Sequence, residues 1–283
     1  MNAALGKLLE TGLGWDLSKV RTSFIKNGLT NENYFVTDGR ESYVARIAGA
    51  KSNALGIDRS AELAALNAIS STRLAPPLAY FSATTGDMIT RFISGRHLTQ
   101  TDLAEPATVD KVAAAMRKVH SLEIPFESCP YSDITSRLQA AKESGVWLPH
   151  ALPRLLRILL GARRKLDRDA AKYRGLCHND LFVGNVLYDG SIWLIDWECA
   201  AMGDIFFDLA CVCSGLSRAR KGTFLRAYFG ADGGALVDRL ECMEFVVTFW
   251  NASWALVQTG TINASCDYEA MARHMFANLG RAL

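Results

Sequence analysis

Apolar and polar residues alternate over much of the first 95 residues, a pattern typical of strands with one buried face. Residues 20–47 follow this pattern and predict strands, two of which are joined by the tight-turn dipeptide Asp38-Gly39. Apolar positions three and four residues apart over 58–71 predict a helix inserted among the strands. Two more strands are predicted within residues 78–95. The N-terminal third of the chain is therefore expected to be mainly strand, with one inserted helix.

After Gly95 the apolar spacing becomes helical, interrupted by a short strand-like block at residues 176–198. We expect an α+β fold with two lobes, a small β-rich lobe at residues 1–93 and a larger, mainly helical lobe at residues 94–283. The helices predicted for the second lobe span residues 108–120, 132–144, 151–172, 204–214, 220–229, 235–258 and 267–282.

The composition excludes some classes of partner. The 283 residues are 49% hydrophobic and 21% charged, which is typical of a globular protein with a substantial core. With 31 basic and 29 acidic residues the net charge is +2, so we expect neither nucleic acid nor a membrane as the main partner. No apolar run approaches the ~18 residues of a membrane span. The seven scattered cysteines suit reduced thiols, and we expect a soluble cytoplasmic protein whose oligomeric state the sequence leaves open.

Polar side chains interrupt the strand-like block at a definite spacing. Asn185 precedes the apolar run "VLY", and Asp196 ends the apolar run "IWLI". A turn containing glycine separates the two runs, so a hairpin would bring Asn185 and Asp196 to the same end. Their oxygen atoms are ligands that Mg²⁺ prefers, and Asp180 on the preceding loop would face the same cavity as a base or orienting acceptor. The alternative is that these residues only cap turns, as Asp and Asn often do.

The same residues resemble a known family. The pattern His178-x-Asp180-x-x-x-x-Asn185, followed by "IDWE" at 195–198 and "FDLA" at 207–210, resembles the choline/ethanolamine kinase family. That family lies within the aminoglycoside phosphotransferase-like, protein kinase-like superfamily. Further stretches resemble its phosphate loop, its nucleotide-phosphate strand, its lobe-connecting segment and its first large-lobe helix. They are "NGLTNENYFV" (27–36), "YVARIAG" (43–49), "RFISGRHL" (91–98) and "MRKVHSL" (116–122).

The resemblance implies a kinase-like two-lobe fold and a mechanism that uses ATP and Mg²⁺. Asp180 would accept or orient the proton of the substrate hydroxyl as it attacks the γ-phosphate. Asn185 and Asp196 would hold Mg²⁺ against the phosphate oxygens. Glu198 would lie behind these ligands, at a second metal or at the substrate, and the alternative is that it makes a local structural hydrogen bond.

Residues of the small lobe are assigned to the nucleotide by the same resemblance. Arg46 takes the phosphate-contacting position, where a guanidinium can hold two phosphate oxygens. Glu62 is expected to pair with Arg46, and the alternative is a solvated surface side chain. A turn containing Leu29, Thr30, Asn31 and Asn33 should cover the phosphates. The segment Arg91, Phe92 and Ile93 should pass the adenine with backbone hydrogen bonds.

The acceptor pocket is assigned to the C-terminal helices. Trp250 and Trp254 lie four residues apart on one helical face, and their rings suit a quaternary ammonium, for which Asp267 and Tyr268 would complete the pocket. The alternative is plain core packing. One departure is Ser214-Gly215, where eukaryotic choline kinases have an acid.

These residues favour a kinase for the hydroxyl of a small amino alcohol, choline or ethanolamine first. The alternatives are a thiamine or aminoglycoside-like acceptor, or a non-catalytic nucleotide-binding protein with a kinase fold. Asp180, Asn185, Asp196 and Arg46 are all present, which favours an enzyme over the non-catalytic alternative.

Overall fold

The computed structural model describes residues 2–25, 31–49, 56–259 and 266–281. The chain divides into two compact units, Met1–Leu98 with Gly184–Ala200, and Thr99–Val183 with Ala201–Leu283. The sequence predicted one boundary, between residues 93 and 94. In the structure the first unit also contains the later segment Gly184–Ala200. The reason is strand pairing, because this segment forms a hairpin on a short strand that ends at His97.

An antiparallel five-stranded sheet forms the frame of the first unit, with strand order β1-β2-β3-β5-β4. The hairpin predicted at Asp38-Gly39 joins β2 to β3, with Thr37 opposite Ser42. Asp38 Oδ1 accepts two backbone N–H groups of the turn at 2.8 Å, and Gly39 adopts a φ of 89°, which glycine tolerates best. The strands are β1 (Arg21–Ile25), β2 (Glu32–Thr37), β3 (Ser42–Ile47), β4 (Leu78–Phe81) and β5 (Met88–Arg91).

Two helices accompany this sheet. Helix α1 (Ala3–Leu13) begins after Asn2, whose side chain caps the backbone N–H of Ala4. Its apolar side chains three and four residues apart pack on the sheet, and fully burying one such side chain contributes about 1.5–3 kcal/mol. Helix α2 (Arg59–Ile69) begins after the capping residue Asp58. The buried cluster of this unit consists of Leu5, Leu8, Leu9, Val36, Ala45 and Ile89.

A second, three-stranded sheet in the first unit has the order β6-β8-β9. It contains β6 (Arg96–His97), β8 (Val186–Tyr188) and β9 (Ile192–Leu194). Gly95 precedes β6 where the chain passes close to Tyr188, and a Cβ at Gly95 would lie 3.1 Å from the Tyr188 carbonyl carbon. A glycine at this position therefore allows the two backbones to approach.

The second unit is mainly helical, and its long helix α8 packs against α4, α5, α6 and α9. A two-stranded antiparallel sheet pairs β7 with β10. Among the described residues, every helix is too short or too polar to cross a bilayer. The elements are α3 (Pro106–His120), α4 (Pro130–Glu143), α5 (Leu152–Leu166), β7 (Arg174–Cys177), β10 (Ala201–Asp204), α6 (Phe206–Cys213), α7 (Arg218–Phe229), α8 (Val237–Gln258) and α9 (Tyr268–Arg281).

The predicted helices are present, with one difference in length. The helix expected at 151–172 ends as α5 at Leu166, and a 3₁₀ segment continues from Asp167 to Tyr173. Asp169 leaves the helical region with a φ of −135°. Aspartate is a weak helix former, and its negative charge is unfavourable at the C-terminal end of a helix, which explains the early end.

Candidate active site

A buried ion pair joins β3 to α2 in the first unit. Arg46 is 3% exposed, and its Nη1 donates to Oε1 of the fully buried Glu62 at 2.5 Å. Its Nη2 donates to the backbone carbonyl of Gly86 at 2.8 Å. The predicted pairing of Arg46 with Glu62 is therefore confirmed, and the guanidinium is held in one orientation from two sides.

Arg59 extends this pair into a network that was not expected from the sequence. Arg59 Nη1 donates to Glu62 Oε2 at 2.6 Å and to Glu198 Oε2 at 3.2 Å. Gly86 adopts a φ of 83°, and a Cβ at this position would lie 2.2 Å from Arg59 Nε. Only glycine at position 86 therefore leaves room for the Arg59 side chain beside the carbonyl that Arg46 binds. The spacing in the sequence could have predicted the Arg59–Glu62 contact, because Arg59 precedes Glu62 by three residues at the start of a helix.

Glu198 and Asn31 contact each other. Asn31 Nδ2 donates to Glu198 Oε2 at 2.9 Å, and Asn31 Oδ1 accepts the backbone N–H of Gly49 at 3.3 Å. Both side chains are 9% exposed. The carboxylate of Glu198 thus accepts hydrogen bonds from Asn31 and Arg59, and it links the start of β2 to the start of α2.

The charges in this network influence one another. Burial raises the pKa of Glu198 to about 6, and Asp196 adds to the rise, while Arg46, Asn31 and Arg59 oppose it. Burial works against the charge of Arg46, but the carboxyl groups of Glu62, Glu198 and Asp196 hold the pKa of Arg46 above its ordinary value. Two guanidinium groups thus lie among three carboxyl groups, and the ionised set favours one additional cation.

Asn185 and Asp196 lie at the same end of the β8–β9 hairpin. Val186 is opposite Leu194, and the backbone N–H of Ile195 donates to the carbonyl of Asn185 at 3.0 Å. The predicted hairpin arrangement is therefore confirmed. Asp196 adopts a φ of 69°, a conformation that L-residues other than Asn and Asp rarely adopt, so the chain turns sharply at this residue.

The donor set at this end of the hairpin fits a magnesium ion. Desolvation by the surrounding protein raises the pKa of Asp196, and the charge of Arg46 opposes this rise. The residue is nevertheless exposed, so water reaches it. Asn185 is half-buried. The described residues contain no cluster of three or more acidic, histidine or cysteine side chains that would hold a metal alone. An amide and a carboxylate oxygen that leave the other positions to water and phosphate suit Mg²⁺, which usually keeps several waters.

The loop before Asp180 is fixed within the second unit by a buried carboxylate. Asp208 on α6 is fully buried, and its two oxygens accept the backbone N–H groups of His178 and Asn179, each at 2.8 Å. His120 Nε2 lies 3.1 Å from Asp208 Oδ2. Asn179 adopts a φ of 61°, so the loop has a strained conformation that these bonds stabilise. Asp208 and His120 were not expected to have this role, although an acid in the apolar run "FFDLA" was a signal.

Asp180 itself is half-buried in the second unit, and its carbonyl accepts the backbone N–H of Phe182 at 2.9 Å. The two metal-ligand candidates, Asn185 and Asp196, belong to the first unit. The role of Asp180 as proton acceptor stays a prediction.

Trp250 already has partners on several sides. It is 8% exposed, and its Nε1 donates to Asp133 Oδ2 at 2.9 Å. The guanidinium carbon of Arg137 lies 4.1 Å from the centre of the Trp250 ring, and Phe207 contacts the ring edge-on at 5.8 Å. A cation of the protein thus occupies one face of the ring.

Trp254 is half-buried and more open than Trp250. Its ring contacts Tyr268 edge-on, with 5.6 Å between the centroids, and Tyr268 is 3% exposed. Asp267 is exposed, and its Oδ1 accepts the backbone N–H of Ala270 at 3.0 Å, so it caps helix α9. Three of the four residues predicted for the acceptor pocket are therefore close in space, namely Trp254, Asp267 and Tyr268.

The segment predicted for adenine lies at the end of β5. Arg91 and Phe92 donate their backbone N–H groups to the carbonyls of Pro77 and Ser42, at 2.8 and 3.0 Å. These two donors are therefore used within the protein. Ile93 is half-buried and follows the last of these bonds.

Two of the four predicted phosphate-loop residues belong to the described part of the chain. Asn31 takes part in the Glu198 contact, and Asn33 is half-buried on β2, opposite Arg46 on β3. Leu29 and Thr30 lie outside the described residues.

Comparison with known proteins decides the family. The model of the phosphotransferase enzyme family matches residues 21–245. The chain belongs to this family.

Relatives of this phosphotransferase include named kinases. Probable choline kinase 1 of Arabidopsis thaliana is 25% identical, over 96% of this chain and 91% of that protein. Ethanolamine kinase 1 of Mus musculus is 25% identical, over 74% of this chain and 61% of that protein. The recognition of the family from its motifs is confirmed.

Solved structures agree on the fold. The choline kinase LicA from Streptococcus pneumoniae has a TM-score of 0.80 at 20% identity, covering 99% of this chain and 100% of that chain. The aminoglycoside phosphotransferase APH(2'')-Ib has a TM-score of 0.63 at 15% identity, covering 99% and 97%. The predicted α+β fold of the kinase-like class, with a small sheet-based part and a larger helical part, is therefore confirmed.

A cavity in the second unit of this phosphotransferase was not expected from the sequence. It has a volume of about 190 Å³ and lies beside Asn179, the residue before Asp180. Its wall contains Tyr131, Phe207 and Asp204, but Arg163 lies 4.9 Å from the centre of the Tyr131 ring and Arg239 pairs with Asp204, so cations of the protein already occupy these groups. None of the four predicted acceptor residues lines this cavity.

Proposed function

We propose that this phosphotransferase transfers the γ-phosphoryl group of ATP, with Mg²⁺, to the hydroxyl group of a small amino alcohol. Choline and ethanolamine are the first candidates, because relatives with these names match the chain. The observation that carries the proposal is the buried Arg46–Glu62 pair beside Asp196 in a chain of the phosphotransferase family. A fixed guanidinium next to a metal-binding carboxylate is what transfer of a phosphoryl group requires.

Arg46 would hold the nucleotide phosphates. Its Nε–H is buried and has no partner among the described residues, so a phosphate oxygen would satisfy an orphaned donor. Glu62 and the Gly86 carbonyl fix the guanidinium before the nucleotide arrives, which lowers the entropic cost of binding. Arg59 and Asn31 would keep the Glu198 carboxylate in place behind Asp196.

Asn185 and Asp196 would hold the magnesium ion. When bound, the ion neutralises charge on the phosphate oxygens and orients them for attack. Asp180 would accept the hydroxyl proton of the acceptor, and Asp208 would hold the loop that carries Asp180 in one conformation.

Asp196→Asn tests the metal site, because the variant keeps the shape of the side chain and removes its charge. We expect the affinity for Mg·ATP to fall at least tenfold, a loss of about 1.4 kcal/mol. Titration calorimetry with Mg·ATP, and with ATP plus a chelator, measures the difference. Asp189→Asn is the matched control, since Asp189 is exposed in the turn of the same hairpin. Equal Mg·ATP affinities of wild type and Asp196→Asn would place the metal elsewhere.

The acceptor pocket is assigned to Trp254, Tyr268 and Asp267, since Arg137 covers one face of Trp250. A cation on an aromatic ring contributes about 0.5–2 kcal/mol. We therefore expect Trp254→Leu to raise the KM for choline roughly threefold to thirtyfold, with the KM for ATP unchanged. Steady-state kinetics with both substrates varied measures this.

Trp250→Leu is the matched variant on the same helix. We expect it to lower the urea midpoint of unfolding and to leave the KM for choline unchanged, because it removes packing and a buried hydrogen bond. A rise in the choline KM for Trp250→Leu alone would contradict the assignment. No rise for either variant would show that neither tryptophan contacts the acceptor.

An acceptor panel tests the proposed function as a whole. Purified protein is given Mg·ATP with choline, ethanolamine, thiamine or an aminoglycoside, and ADP release and the phosphorylated product are both measured. Product from choline or ethanolamine supports the proposal. Product only from thiamine or the aminoglycoside would keep a small-molecule kinase and reject the amino alcohol. Binding of Mg·ATP without any product would favour the non-catalytic alternative.

A further inference from the structure

Helix α5 has two faces of opposite character in the second unit. Its buried face is apolar and consists of Leu155, Leu159, Ala162 and Leu166. On the opposite face, three arginines and a leucine are exposed at helical spacing, and a half-buried glycine lies among them. We call this surface the basic face of α5, and it consists of Arg154, Arg157, Leu160, Gly161 and Arg164.

The basic face lies in a segment whose charge differs from that of the rest of the chain. Residues 152–174 contain eight of the 31 basic residues and two of the 29 acidic ones. The segment therefore has a charge of +6, whereas the other residues together have a charge of −4. The nearly neutral total, from which we expected no anionic partner, conceals this local excess.

Within the described ranges, the positive charges of the basic face have no ion-pair partner. Arg154, Arg157 and Arg164 form no ion pair with any residue that the structure describes. The two acids of the segment are engaged by other arginines, since Asp167 pairs with Arg163 and Asp169 pairs with Arg239. The face therefore presents three unpaired guanidinium groups to the solvent.

An apolar side chain stands among these arginines. Leu160 is 56% exposed, more than any other large hydrophobic side chain in the described ranges. Outside its chain neighbours and the backbone of its own helix, Gly161 has no atom within 4 Å of the position that a Cβ would take. The centre of the face thus combines an exposed leucine with a stretch of backbone that a flat surface can approach closely.

We propose that the basic face of α5 docks this protein on an anionic phospholipid surface. Clusters of Lys and Arg on an amphipathic helix attract anionic lipid headgroups, and an apolar side chain among them can enter the boundary between headgroups and acyl chains. Leu160 favours lipid over nucleic acid or another soluble polyanion, because a soluble polyanion offers no apolar phase to an exposed leucine. The proposal is independent of the acceptor.

Vesicle flotation tests the docking surface with the full-length protein. The vesicles contain phosphatidylcholine alone, or phosphatidylcholine with about a third of phosphatidylglycerol. We expect the wild type to float only with the anionic vesicles and to be released by high salt. The triple variant Arg154→Gln/Arg157→Gln/Arg164→Gln should bind at least tenfold more weakly. Its matched control is Arg40→Gln/Arg73→Gln/Arg220→Gln, which removes the same charge from exposed arginines at three other places, two turns and helix α7, and should bind like the wild type.

The Leu160→Gln variant distinguishes binding to lipid from binding to other polyanions, because it keeps every charge of the face. We expect it to weaken binding to the anionic vesicles several-fold and to leave retention on heparin unchanged. The proposal is overturned if the wild type ignores the anionic vesicles, or if the control triple variant loses as much binding as the α5 triple variant. The proposal is also overturned if the Leu160→Gln variant binds the anionic vesicles as tightly as the wild type, since the face would then recognise charge alone.

Discussion

Asp180→Asn should lower kcat at least a hundredfold while the affinity for Mg·ATP stays within a factor of two. The amide keeps the size of the side chain but accepts a proton far less readily than a carboxylate. A positioned proton acceptor typically contributes a factor of 10²–10⁴ in rate. The residues that we assign to the nucleotide, Arg46 and Asp196 among them, belong to the first unit, so the substitution leaves them unchanged.

Three measurements separate this role from a structural one. Single-turnover rates with the best acceptor report the chemical step, calorimetry reports nucleotide binding, and urea unfolding reports stability. Asp110→Asn is the matched control, because Asp110 is an exposed acid of α3 in the same unit. A variant at Asp180 that turns over at more than a tenth of the wild-type rate would show that another group accepts the proton.

Asp208→Ala should lower the free energy of unfolding by about 2–6 kcal/mol, because two buried backbone N–H donors lose an acceptor at about 1–3 kcal/mol each. The carboxylate is fully buried and accepts the backbone N–H groups of His178 and Asn179. Without it, two buried donors lose this acceptor and His120 loses a neighbour at 3.1 Å. The strained conformation of Asn179 then has less to stabilise it.

The urea unfolding of Asp208→Ala is compared with that of Asp110→Ala. The free energy of unfolding of Asp110→Ala should stay within about 0.5 kcal/mol of the wild-type value. Because Asp208→Ala could fail to fold, Asp208→Asn provides a milder variant that keeps one carbonyl acceptor. We expect Asp208→Asn to remain folded at low temperature, with a reduced kcat and a nearly unchanged affinity for Mg·ATP. A stability loss for Asp208→Ala no larger than that of Asp110→Ala would contradict the role of Asp208 in holding the loop.

Local pattern alone was enough for most of the secondary structure and for one part of the site, but not for the short strands β6 and β10 or for the end of α5. The strands and helices follow from apolar periodicity and from turn and capping residues such as Asp38, Gly39 and Asp58, which act over a few residues. The arrangement of Asn185 and Asp196 was also predictable, because the hairpin between them has a short turn. The pairing of Arg46 with Glu62 came from resemblance to a family, since their spacing alone does not predict it.

The tertiary structure decided the contacts between residues that are far apart in the sequence. Arg59 and Glu198 are 139 residues apart, and Asn31 and Glu198 are 167 apart. Arg137, 113 residues from Trp250, covers one face of a ring that was predicted to bind a ligand cation. Periodicity reports which face of an element is buried, but it carries no information on which distant side chain meets that face. The direction of a pKa shift likewise depends on burial and on neighbouring charges, which exist only after the chain has folded.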